Sequence, residues 1–190
     1  MSLIRLLSVT AIALLATLSS CSTAPKAANR AEFMRAADAT KLEFLSEVNG
    51  LEEQIAASAG VIVFPGIGEW GSIFAGGRFG RAVFARPDGE QIGWASIQSG
   101  SVGLGAGVRR FQMLVVLRDE ATVERFMENR LAGDAGVAAV VGDTGGSTAT
   151  AFRDGVAVYQ TAGSGLLAAA RVNLSWIKYE PLEMPAPEAL

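Results

Sequence analysis

Thirteen of the chain's 22 glycines fall between Gly60 and Gly107, in a stretch otherwise built of apolar, β-branched and aromatic residues. Each glycine inside a helix costs roughly 0.5–1 kcal/mol relative to alanine, so this density disfavours helix. It suits strands that bend sharply, carry bulges or pass close to another backbone. The expected fold is therefore α+β: one strongly curved, glycine-rich antiparallel sheet, barrel-like, with amino-terminal helices and one inserted helix packed against it.

The strands follow from short apolar runs bounded by turn residues. They are expected at Val61–Phe64, Ser72–Phe74, Arg81–Arg86, Gly93–Gln98, Ser101–Gly107 and Gln112–Arg118, then at Thr148–Phe152, Val156–Gln160 and Leu166–Tyr179. Pro87-Asp88-Gly89 and Arg153-Asp154-Gly155 are turn signals. Between Ala31 and Ser58 the residues Phe33, Ala37, Phe44, Val48, Leu51 and Ile55 recur at helical spacing. Asn49-Gly50 interrupts them, and Asn49 with Glu52 has the form of a capping box, which predicts two helices. The first could lie on a membrane, but its polar face is acidic, which favours packing on the sheet. Asp119 should cap a helix running to about Asn129, with Val123, Phe126 and Met127 buried. Ala132–Gly146 reads as a loop containing the apolar run Val137–Val141.

The amino terminus reads as an export signal. Arg5 supplies a positive start and Leu6–Leu18 an apolar run of 13 residues, too short to span a bilayer. Leu18-Ser19-Ser20-Cys21 then looks like the lipobox of bacterial lipoproteins, ending at the chain's one cysteine. That likeness implies a signal over residues 1–20, a thioether-linked diacylglycerol and an N-acyl chain on Cys21, and Cys21 as lipid anchor. Three acyl chains would hold the protein firmly, since one alone binds only marginally. Ser22 after the cysteine resembles lipoproteins sent to the outer membrane of a Gram-negative cell, facing the periplasm. Residues 21–30 form the lipidated cysteine and tether, 31–180 the folded domain, and 181–190 a disordered tail.

Composition removes much chemistry. The chain has no histidine and one cysteine, which excludes His-ligated metal sites, Ser-His and Cys-His dyads and an intrachain disulfide. The formal charge of −3 argues against a nucleic-acid partner. No enzyme activity, cofactor or metal site is expected. Gly66-Ile67-Gly68-Glu69-Trp70-Gly71 fits the spacing of a dinucleotide fingerprint, but the glycines that follow should prevent the helix that such a site requires.

The charge is unevenly spread. From Trp70 to Arg118 six arginines face only Asp88 and Glu90. Arg78, Arg81, Arg86, Arg109 and Arg110 are candidate contacts to anionic lipid headgroups, and Trp70 and Phe79 candidate membrane-interface aromatics, with Phe74 and Trp94 interleaved. The competing reading makes the arginines scattered solubilising residues and the aromatics core. By strand alternation, Arg81 and Val83 share one face and Ala82 and Phe84 the other.

A longer series of short motifs resembles the SYLF-domain family: Val63-Phe64-Pro65, Gly76-Gly77 with Gly80, Trp94, Gly103-Leu104 with Gly107, and Val115-Val116-Leu117 before the helix. It continues through Leu131-Ala132-Gly133-Asp134, Gly142-Asp143-Thr144-Gly145, Val158-Tyr159 and Gly165-Leu166. The resemblance implies a non-catalytic lipid-binding domain without cofactor, here on a lipoprotein. The basic amphipathic segment linked to lipid binding in eukaryotic members has no counterpart, and Gly105 stands where glutamine is expected. The partners expected are membrane lipid, as covalent anchor and as bound phospholipid. The alternative is a structural lipoprotein that binds another cell-envelope protein.

Overall fold

A computed structural model describes residues 24–72, 75–101, 107–131, 134–136, 139–141, 147–149, 151–161 and 171–182. Cys21 and the expected signal lie outside the described residues, as do Gly103-Leu104, Ala132-Gly133, Gly142-Asp143-Thr144-Gly145 and Gly165-Leu166 of the motif series. A 3-10 turn at Ala27–Asn29 leads into α1 (Arg30–Glu47), followed by β1 (Val48–Asn49) and α2 (Leu51–Ala56). Four long strands follow: β2 (Gly60–Gly71), β3 (Gly76–Ala85), β4 (Gln91–Ser101) and β5 (Gly107–Leu117). After α3 (Glu120–Met127) come β6 (Asp134–Gly136), β7 (Ala139–Val141), β8 (Ser147–Thr148), β9 (Val156–Thr161), β10 (Arg171–Asn173) and β11 (Ile177–Pro181).

The main sheet has the order β11-β4-β3-β2-β5-β9-β7. Six of these strands run antiparallel to their neighbours, and β7 adds to β9 in parallel. Among the described residues β11 and β7 are the edges, and the sheet is not closed into the barrel-like form expected from the glycines. The reason lies in the core. Val61, Ile62, Val63 and Phe64 are all buried, because consecutive residues point into two separate apolar layers. A sheet covered on both faces reads as a continuous apolar run and has no need to curl on itself to bury one face.

One layer joins Phe44, Leu51 and Ile55 of the amino-terminal helices to Val61, Val63, Val83, Trp94, Leu114 and Val116. The other joins Val123 and Phe126 of α3 to Ile62, Phe64, Phe84, Phe111, Met113 and Val115. α1 thus packs on the sheet, with Phe44 fully buried and Phe33 ring-to-ring with Trp94. Thr40, also buried, accepts a hydrogen bond from Gln112 Nε2 at 3.1 Å.

Several expectations need correction. The break at Asn49-Gly50 is present, but Gly50, at φ 79°, is the N-cap of α2 and no side chain caps it; Asn49 is in β1. Met127 is 40% exposed, since α3 turns it past the edge of the core. Ser72 is not in a strand; β2 runs through Gly71 and β3 starts at Gly76. The stretch taken as a loop at Ala132–Gly146 contains β6 and β7. The short run Ala139–Val141 pairs with Tyr159–Thr161, a long-range partner that local sequence does not announce.

Candidate functional site

The bulge in β2 sets the site. Phe64 pairs with Met113 and Ile67 with Phe111, so Pro65 and Gly66 together oppose Gln112. An extra residue shifts the alternation by one, and every side chain beyond it changes face. Ile67 and Glu69 therefore point to the α3 side of the sheet, and Gly68 and Trp70 to the α1 side.

On the α1 side, α1 covers Val63, Val83 and Leu114. Beyond them the outer ends of β3, β2 and β5 present Phe79, Trp70 and Val108, which are 58%, 45% and 75% exposed. Register places Trp70 opposite Val108 and Gly77, and Phe79 opposite Gly68 and Gln98. Both rings reach over glycines of the neighbouring strand: a Cβ at Gly77 would come 2.9 Å from Trp70 Nε1, and one at Gly68 would come 2.5 Å from Phe79 Cζ. The rings border a shallow groove of about 420 Å3 that Gly77, Gln98 and Gly100 also line.

Arg81 and Arg110 share this face, two residues along from Phe79 and Val108 on their strands. Both are exposed and make no ion pair among the described residues. Three side chains large enough to enter an interface and two cations thus stand together on the uncovered end of one sheet face. A cluster of exposed apolar groups rimmed by charge is the surface pattern of a docking site.

The other three arginines do not join it. Arg86 pairs with Glu120 and donates to Ala59 O at 3.1 Å, tying β3 to the start of α3. Arg78 and Arg109 are on the α3 side, 7% and 4% exposed. Each directs Nη2 at the same oxygen, Glu69 Oε2, at 3.0 and 3.3 Å. Their guanidinium carbons stand 5.4 and 4.4 Å from the centre of the Phe111 ring. Arg78 and Arg109, expected among the headgroup contacts, are thus buried around Glu69 on the opposite face from Arg81 and Arg110. Glu69 was missed in sequence because it lies three strand positions past a bulge, and because its partners are 9 and 40 residues away.

Gly66–Gly71, the stretch with dinucleotide-like spacing, continues β2 as strand paired on both sides, and no helix begins there. No helix among the described residues is long and apolar enough to cross a membrane.

Residues 98–181 match the model of a family described as "Ysc84: Las17-binding protein actin regulator". The matched segment takes in the end of β4, all of β5 and everything through β11, and so includes Val108 and Arg110 but not Trp70, Phe79 or Arg81. No curated protein matches the chain.

Proposed function

The chain carries a Ysc84 (SYLF) family match across residues 98–181, and on that premise we propose that it is a non-catalytic lipid-binding lipoprotein. Cys21 anchors it to the outer membrane, facing the periplasm, and the sheet domain binds anionic lipid headgroups. The supporting observation is the face formed by Trp70, Phe79 and Val108 with Arg81 and Arg110. Aromatic rings settle at the headgroup level of a bilayer, and guanidinium groups bind phosphate oxygens through paired N–H donors. Ala24 is already buried in the layer beneath α1 and Ala27–Asn29 forms a turn, so the tether expected over residues 21–30 is shortened to the chain between Cys21 and Ala24, at most about 11 Å, which keeps the domain close to the anchoring membrane.

The test is flotation of the unlipidated chain from Ser22 onward with vesicles of anionic or zwitterionic lipid. Binding confined to the anionic vesicles supports the reading; equal, negligible binding to both ends it. Acylation of Cys21 is read separately, by mass analysis of the natively purified protein, which also reports co-purifying lipid.

The family description, Las17-binding, favours a second reading in which the same lipoprotein docks an envelope protein. Crosslinking in intact cells that captures one abundant protein, together with no lipid binding, would select it.

A further inference from the structure

The side of the sheet facing away from Trp70 and Phe79 holds an unbalanced charge. Arg78 and Arg109, both more than nine-tenths buried, share one carboxylate oxygen, so two guanidinium charges meet a single Glu69. Two of their donors, Arg78 Nη1 and Arg109 Nε, are buried without a hydrogen-bond partner among the described residues. Phe111 lies beneath both cations and stiffens the pair without satisfying those donors.

One arginine would be enough to neutralise Glu69 and pin the register of β2. The second adds charge that is costly to bury and N–H groups that are costly to leave unmet. Arginine forks match the spacing of oxygens on a tetrahedral anion and can hold it in bidentate fashion. Of the three side chains Glu69 is the most accessible, with 16% exposure against 6% and 4% for the arginines.

We propose that Arg78 and Arg109 form a binding site for a phosphate group, with Glu69 as the internal carboxylate that competes for the same two cations. The incoming oxygens accept from the unmet donors, and the second negative charge balances the pair. This site occupies the opposite face from Arg81 and Arg110 and stands independently of the membrane-docking proposal.

The experiment uses the natural lipoprotein in mild detergent, followed by thermal unfolding with inorganic phosphate against sodium chloride of equal ionic strength. Phosphate should raise the melting temperature by roughly 5–10 °C once it exceeds its dissociation constant a hundredfold. Glu69→Gln removes the competing charge and should bind phosphate at least about tenfold more tightly, whereas a merely structural triad would gain no phosphate dependence. Should Glu69→Gln be unstable alone, phosphate is expected to restore it selectively. Short-chain phosphatidic acid below its micelle concentration forms a second arm: a shift with inorganic phosphate assigns a free anion, and a shift with phosphatidic acid alone assigns a lipid headgroup. Shifts no larger than the chloride control with either phosphate source, in both the natural protein and Glu69→Gln, would overturn the proposal. Arg81→Ala/Arg110→Ala should leave the phosphate shift intact, which separates failure of this site from failure of the docking face.

Discussion

The Phe79 ring covers Gly68 on the adjacent strand so closely that a Cβ there would sit 2.5 Å from its Cζ. The obstacle is the tip of an exposed side chain, free to rotate outward, not backbone. Gly68→Ala is therefore expected to displace the ring and cost less than about 1 kcal/mol, in the range of ordinary surface substitutions. Urea unfolding of the variant checks this; a larger loss would show that the ring is pinned over the strand.

Arg81 and Arg110 are exposed without ion pairs among the described residues, so removing them takes little from the fold. Each basic residue near an anionic bilayer is worth about 1 kcal/mol. The double variant Arg81→Ala/Arg110→Ala should bind anionic vesicles roughly 30-fold more weakly, with its melting temperature nearly unchanged. Vesicle titration monitored through tryptophan fluorescence, at fixed salt, measures the difference.

Gly155 follows Asp154 in the turn before β9 and has φ of 84°. A Cβ there would meet Thr122 Oγ1 at 2.2 Å, and Thr122 is only 1% exposed. Strain in the left-handed region and a clash with a buried group add, so Gly155→Ala should cost about 2 kcal/mol or more. The midpoint of urea unfolding should fall while its slope stays constant.

Asp119 caps α3, its Oδ1 accepting from Thr122 N at 2.9 Å and from Thr122 Oγ1 at 2.7 Å. The Thr122 hydroxyl above all, then Arg118 and the Thr122 backbone N–H, hold its carboxyl at about 2, below the usual 3.8. A pKa lowered on folding stabilises the fold above the unfolded value, and that contribution is lost as pH falls. The stability difference between the natural chain and Asp119→Ala should be full above about pH 4 and shrink as pH drops towards 2. Thermal unfolding at several pH values reads it; a difference that stays constant across that window would contradict the cap's ionised role.

Local chemistry by itself announced much of the architecture. Glycine density marked β2–β5 as extended chain, Asp119 marked the start of α3, and Asp88-Gly89 and Asp154-Gly155 marked turns, because each depends on backbone preferences of a few adjacent residues. The partition of the five arginines was a matter for tertiary structure. Strand alternation puts Arg81 beside Phe79, but Glu69 reaches Arg78 and Arg109 only because the Pro65–Gly66 bulge shifts the phase of β2 relative to β5. Whether a face is open or covered depends in turn on where α1 stops along the sheet. Register, bulge phase and coverage are settled by packing between segments distant in the chain, and no short stretch of sequence carries that information.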